Sequence, residues 1–583
     1  MDLRAGIASI ALLTVALVFT GAGIAREKPV SRSADALRAE AVVAQRGMVV
    51  TQEKQASRIG AEILAKGGNA VDAAVAVGFA LAVTLPRAGN LGGGGFMVLH
   101  RAETGENVAI DYRETAPAAT TPDMFLDADG NADPEKSRDS ALGVGVPGTV
   151  AGLALAHARY GSGRFTLAEL VAPAVQLARE GVPVEGDLLD SLLLAAPRLQ
   201  RWPSTAPIFT KPDGPSWTEG DRLVQPELAS SLEAIGREGA RAFYIGPMAD
   251  AIVSTVREAG GRMTRVDLEN YQAIIREPAR GTYRGYEIIS MPPPSSGGVH
   301  LIQMLNILEG LSLKKLGVGS PAALHLMIEA MKLAFADRAE FLGDADVVDV
   351  PVERLISKEY AAELRAGIAP DRARPAIEIR PDSSALGAGL GGGNTTHFSI
   401  IDQFGNAVAN TTSLNLSYGL GLVAKGTGIL LNNTLDDFAA QPGAPNAFGL
   451  LGGSANAPGP GKRPLSSMTP TIVLKDGKPQ LITGAPGGSR IISTVLQVIV
   501  NNIDLGRPIA DAVTAPRVHH QWRPDEVLVE RTLPAATVRA LEKRGHHVEV
   551  GSVFGSAHSI AVTPKGIVGA ADPRARDSLA VGF

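Results

Sequence analysis

The spacing of apolar positions over residues 54–66 predicts an amphipathic helix, closed by Lys66 and the Gly67-Gly68 pair. Asn69 then reads as the cap of a second helix, with Asp72 three residues on and Pro86 as its stop. From Ala73 to Leu85 that helix is apolar all round, so it belongs inside a protein core. Four glycines follow, Gly92 to Gly95, and then a strand-like Phe96-Met97-Val98-Leu99. Residues 150–370 carry mainly helical periodicity. From 395 onward the pattern turns to strands, over 396–402, 407–415, 470–475 and 480–484. No internal repeat of fixed period is present.

Two stretches break the pattern. Residues 385–394 are so rich in glycine that regular structure there costs too much backbone entropy. Residues 440–463 hold Gly, Pro, Asn and Ala over a length that suits either a functional lid or disorder.

Composition narrows the class. The chain has 583 residues, 45% hydrophobic content, 66 glycines and a formal net charge of -5. Length alone would suggest three or four domains, although large single folds break that rule. Mild acidity argues against a nucleic-acid partner, which normally leaves a basic footprint. The absence of cysteine excludes a thiol nucleophile, a cysteine-ligated zinc and any disulfide. At the N-terminus, Arg4 precedes an apolar run from Ile7 to Phe19, with small residues through Ala22 and Ala25. That layout predicts a secretory signal over 1–25 and a periplasmic or secreted protein. An uncleaved anchor is the alternative, but the run is short for a stable membrane span, which needs about 20 residues.

The segment Asn394 to Asn415 carries the candidate chemistry. Gln403-Phe404-Gly405 fits a three-residue hairpin loop with glycine in the left-handed position. If Asp402 pairs with Asn406, the register places Thr395 opposite Ser413. A threonine hydroxyl attacks poorly unless a base lies beside it, and a free α-amino group on the same residue can be that base. The amine's ordinary pKa, about 7.7–8.0, suits the task at neutral pH. Such a role requires a cut between Asn394 and Thr395. Taken alone, Thr395-Thr396 reads more readily as an ordinary strand start after a linker, since β-branched residues commonly begin strands.

Ordered motifs run beyond this hairpin. They are Asn90-Leu91 with the four glycines, Asp111-Tyr112-Arg113-Glu114, and Pro292-Pro293-Pro294-Ser295-Ser296-Gly297-Gly298. Thr395-Thr396-His397-Phe398-Ser399, Leu431-Asn432-Asn433 with Asp436-Asp437-Phe438, and Arg463-Pro464-Leu465-Ser466-Ser467-Met468 follow. Gly484-Ala485-Pro486-Gly487-Gly488-Ser489-Arg490 and Asp572-Pro573-Arg574 complete the set. In this order the chain, from about residue 40 to its end, resembles the γ-glutamyltranspeptidase (glutathione hydrolase) family.

The resemblance implies an α+β fold, a four-layer αββα sandwich built jointly by a large subunit (26–394) and a small subunit (395–583) cut from one chain. It implies Thr395 as nucleophile, Ser413 as its hydroxyl partner, and Gly487 and Gly488 as oxyanion donors. Arg113 would grip a substrate α-carboxylate, a contact suited to the arginine fork, with Ser466 and Ser467 donating to the same group. Asn415 and Asp437, with position 434, would receive the α-ammonium group. The implied substrates are γ-glutamyl compounds such as glutathione, with acceptor amino acids or peptides, and no cofactor or metal. Read without the resemblance, Ser466-Ser467 and Pro486-Gly487-Gly488 are turns, and Asp436-Asp437 is a helix cap.

Three positions depart from the family pattern. Ser413 replaces a threonine, keeping the hydroxyl but losing the methyl that fixes its rotamer. Thr434 stands where relatives carry Gln or Glu, and Phe448 where some carry Tyr. Among other readings, the glycines at 92–95 lack the Gly-Lys-Ser/Thr of a phosphate loop. No Gly-x-Ser-x-Gly elbow occurs. His519-His520 and His546-His547 lack metal-ligand spacing. A glutaryl or cephalosporin acylase is the alternative enzyme, and an uncut, inactive binding protein the alternative of another class.

Overall fold

The computed structural model describes residues 37–211, 214, 216–379 and 394–583. The expected export signal and residues 385–393 of the glycine-rich stretch lie outside the described residues. Residues Leu37–Phe583 make one compact unit.

Two seven-stranded antiparallel sheets organise it. Their strands, numbered in chain order, are β1 (Ala41–Ala44), β2 (Met48–Thr51), β3 (Gly94–His100), β4 (Asn107–Tyr112), β5 (Ile274–Arg276), β6 (Ala279–Tyr283) and β7 (Tyr286–Ser290). After these come β8 (Thr395–Ile401), β9 (Ala407–Ser413), β10 (Thr471–Lys475), β11 (Lys478–Thr483), β12 (His558–Thr563), β13 (Gly566–Ala571) and β14 (Leu579–Gly582). One sheet runs β14-β2-β8-β9-β3-β4-β5 and the other β1-β13-β12-β11-β10-β7-β6. Both therefore mix strands from either side of the 394–395 bond.

Alternation along the strands explains how the layers stack. In the first sheet Val49, Met97, Leu99, Phe398, Ile400 and Val408 face one core, with α1 (Lys54–Ala65) and α2 (Ala70–Thr84). Their neighbours Met48, Val50, Phe96, Val98, Ala407 and Ala409 face the other. There they meet Ile288, Ile289, Ile472, Val473, Ile482 and Ile560 of the second sheet. Helix α3 (Gly297–Glu309), beside α4 (Pro321–Phe341) and α5 (Arg490–Ile499), belongs to that core too. With both faces of the sheets covered, the strands read as nearly continuous buried runs. This is the expected αββα sandwich.

The predicted local devices are present. Asn69 and Asp72 form a capping box at the start of α2. The β8–β9 hairpin pairs Thr395 with Ser413 and Ile401 with Ala407, and Gly405 turns it at φ +89°. Asp402 does more than the hairpin required: its carboxylate accepts from the N–H groups of Phe404 and Asn406 and from that of Ala70, at the first turn of α2. The turn is thereby tied to the helix N-terminus, where a carboxylate is favoured.

Candidate active site

Thr395 opens β8 in the middle of its sheet, between β2 and β9. A cleft with about 320 Å³ of empty space is lined by Thr395, Ser413, Asn415, Arg113, Asp437, Ser466, Ser467 and Gly488, with Arg338 and Phe448. Of the residues expected at the site, Gly487 lies next to this lining. Thr434 does not face it.

The uncut bond is held by a chain of hydroxyls. Ser413 Oγ donates to the Asn394 carbonyl at 2.8 Å, and the Thr395 hydroxyl lies 3.4 Å from Ser413 Oγ. The N–H of Asn415 donates to Ser413 Oγ at 2.8 Å, which commits the serine proton to the carbonyl. Gly93 permits the approach of β3 behind this point, since a Cβ there would stand 2.2 Å from the Ser413 carbonyl oxygen. Arg87, paired with Asp187 at 3.4 Å, also donates to the Asn394 side chain. Nothing local in the sequence singles out Arg87, which is brought to the bond only by the fold.

The charges of Arg113 and Asp437 in the cleft are paired. Arg113 is 1% exposed and meets Asp437 at 2.5 Å, while its Nε donates to the Pro464 carbonyl. Burial pushes the Asp437 carboxyl up to about 6, with Arg113 pulling the other way. Asn415 sits at φ +78°, an uncommon conformation for a residue with a side chain. Its Nδ2 donates to the Asn433 carbonyl at 3.1 Å, and its Oδ1 accepts from no donor among the described residues. Gly487 and Gly488, both at positive φ, lead into α5. Helix N-termini of this kind favour a developing negative charge.

Thr434 is fully buried, and its hydroxyl donates to Glu114 Oε1 at 2.6 Å. Glu114, next to Arg113, is itself buried, and desolvation holds its carboxyl above the usual range. The hydroxyl of Thr434 is thus committed to the wall behind the cleft.

The segment 440–463 reaches the cleft, which Phe448 and Leu450 help to line. Asn446 Nδ2 donates to Asp437 Oδ1 at 3.2 Å, and Gln521 Nε2 donates to the Phe448 carbonyl at 3.2 Å. Phe448 packs over Gly488, where a Cβ would lie 2.7 Å from the ring. The segment therefore has polar anchors in place of a tyrosine hydroxyl. Arg338 is a cleft residue that no sequence pattern marked. A charged Asp337-Arg338 pair inside the buried helix α4 was the available signal, since such side chains seldom enter a core unpartnered.

Among the histidines, His397 is buried between the sheets, bonded to Thr411 and Ser399, and desolvation keeps it neutral. His325, Glu329 and His546 bring ligand-type atoms within 4.8 Å of one another. The Lys332 ammonium already sits 2.9 Å from Glu329, and the two imidazoles bond each other at 2.7 Å. The group is charge-matched as it stands.

A four-layer αββα sandwich with a threonine at the head of a central strand, its hydroxyl 3.4 Å from a serine that donates to the preceding carbonyl, has the fold of the N-terminal nucleophile hydrolases. Comparison with known proteins carries this to the family. A sequence model of gamma-glutamyltranspeptidase matches residues 56–582. The chain is 49% identical over 577 residues to a glutathione hydrolase proenzyme of Escherichia coli, covering 99% of this chain and 98% of the relative. It is 41% identical over 560 residues to an acylase ACY 1 proenzyme of a Pseudomonas species, covering 94% and 96%. The crystal structure of a cephalosporin acylase from Bacillus halodurans superposes with a TM-score of 0.81 at 28% identity, over 96% of this chain and 98% of that one. The chain belongs to the gamma-glutamyltranspeptidase family.

Proposed function

We propose that this protein cuts itself between Asn394 and Thr395 and then hydrolyses or transfers γ-glutamyl groups, from glutathione and related amides, through an ester on Thr395. The mature enzyme would consist of a large subunit, 26–394 after export to the periplasm or beyond, and a small subunit, 395–583. Among the described residues no helix is long and apolar enough to cross a membrane.

Self-cleavage begins with attack of Thr395 Oγ on the Asn394 carbonyl, whose oxygen Ser413 polarises from 2.8 Å. The peptide nitrogen leaves as the Thr395 amine, and water hydrolyses the ester. In the mature site that amine takes the hydroxyl proton as Thr395 attacks the γ-carbonyl. The backbone N–H groups of Gly487 and Gly488 hold the oxyanion, a contribution of about 10²–10³ in rate per donor. The leaving amine departs protonated. Water or an acceptor amine then releases the γ-glutamyl group.

The observation that carries this reading is the Arg113–Asp437 pair in the wall of the cleft that holds Thr395. A cation and a carboxylate side by side complement the α-carboxylate and α-ammonium of a glutamyl head group, with Ser466, Ser467 and Asn415 as further partners. The similarity to acylases supports a second reading, a glutaryl-type substrate. Such a ligand brings no ammonium and leaves Asp437 without a new partner, at a cost in the desolvated site. Comparing γ-glutamyl and glutaryl anilides tests the choice. Preference for the glutaryl compound would overturn the γ-glutamyl assignment.

A further inference from the structure

Arg338 is a buried cation that the reaction just described does not use. It lies in α4, 4% exposed, and lines the same cleft as Thr395. Among the described residues it makes no ion pair, and the carboxylate whose charge it feels is Asp437. A guanidinium held in a dry site without a bound carboxylate is costly, so its retention calls for a function.

Its hydrogen bonds show where its influence goes. Nε donates to Ser296 Oγ at 3.0 Å, and one terminal nitrogen donates to Ser467 Oγ at 3.3 Å. A guanidinium can only donate. Ser296, its oxygen occupied as acceptor, passes its own proton to the Ser466 carbonyl at 2.8 Å. The Ser296 N–H reaches that same carbonyl at 2.9 Å. Ser466 Oγ meanwhile accepts from the Met468 N–H at 3.1 Å. Both serine oxygens in the cleft wall are thus filled by fixed donors. Neither hydroxyl proton has an acceptor among the described residues, so both remain for a ligand.

We infer that Arg338 is a positioning residue for the α-carboxylate of the substrate: it holds Ser467, and through Ser296 the Ser466 backbone, so that both hydroxyls donate into the cleft, and it adds a second positive charge to that of Arg113. This rests on the γ-glutamyl reading. Arg113 is engaged by Asp437 before substrate arrives, so a carboxylate entering the cleft meets Arg338 as the cation not already neutralised. Burial lowers its guanidinium to about 10, which leaves it charged at neutral pH.

The test uses the mature enzyme, a γ-glutamyl anilide, and two competing inhibitors, L-glutamate and 4-aminobutyrate, which differ only in the α-carboxylate. Arg338→Gln should raise KM for the anilide by about tenfold or more with kcat within about threefold, the pattern of lost binding. The Ki of L-glutamate should rise in step, and that of 4-aminobutyrate should stay put. Adding Ser467→Ala should produce little further loss, because the arginine acts through that serine. Arg338→Lys, which keeps charge without the fork, should fall between and carries the test if the glutamine variant fails to mature. Equal weakening of both inhibitors, additive losses in the double variant, or failure of both variants to fold would reduce Arg338 to a structural strut and overturn the proposal. If wild-type enzyme cleaved glutaryl anilide in preference, the γ-glutamyl reading would have failed instead, a separate result.

Discussion

Ser413 donates its hydroxyl to the carbonyl oxygen of Asn394 at 2.8 Å while its own oxygen accepts from the Asn415 N–H. One side chain from β9 thus polarises the peptide bond proposed to break, and its proton cannot point elsewhere without losing that hydrogen bond.

Ser413→Ala should therefore slow self-cleavage by about 10²-fold, the scale of one lost oxyanion donor. Ser413→Thr should cleave at least as fast as wild type, because the added methyl fixes the rotamer. Thr395→Ala should leave the chain whole. A denaturing gel over time reads all three, and two bands in the Thr395 variant would contradict the assigned nucleophile.

Asp437 should set an acid limit if it receives the substrate ammonium as proposed. Its carboxyl, raised to about 6 by burial, must be ionised to receive an ammonium group. Protonation below that value removes the acceptor, so kcat/KM for a γ-glutamyl anilide should climb as pH rises through about 6. A glutaryl anilide, lacking the ammonium, should show only the loss that protonation of the Thr395 amine imposes on both substrates, so the ratio of the two kcat/KM values should climb as pH rises through about 6. Parallel profiles for the two substrates would remove Asp437 from this role.

Position 434 bears on stability. Thr434→Val keeps the shape but removes the side-chain donor that Glu114 Oε1 has among the described residues. Losing a hydrogen bond to a buried carboxyl should cost about 1.5–3 kcal/mol, read as a lower denaturation midpoint, and Thr434→Ser should recover most of it. A valine variant as stable as wild type would show that Glu114 has another source of support.

Gly484 lets the two sheets close. A Cβ there would stand 2.3 Å from the His397 ring, which is locked between Thr411 and Ser399. Gly484→Ala should destabilise the protein by about 1–3 kcal/mol through overpacking, with thermal unfolding as the measure. A neutral outcome would mean that the histidine can shift within the seam.

Much of the site's frame was legible because it is local. The Asn69–Asp72 cap, the Gly405 turn and the β8–β9 register each depend on a few consecutive residues and a period of two. Opposing Thr395 and Ser413 follows from counting back along that hairpin. The motifs carrying the family resemblance identified Arg113, Asp437, Ser466 and Ser467 as a group. No short-range pattern showed that they enclose one cleft with Arg338 and Phe448.

Position 434 marks the boundary clearly. By sequence it stands in line with the ammonium-binding residues, and in the fold its hydroxyl turns to Glu114, 320 positions away in the chain. The sequence by itself determined the helices, the hairpin and its register, because backbone sterics and side-chain periodicity act over neighbouring residues. Only the tertiary structure decided which charges meet, which proton Ser413 must give to Asn394, and which arginine stays unpaired. Those outcomes depend on burial and on contacts between distant segments, and both arise when the layers pack.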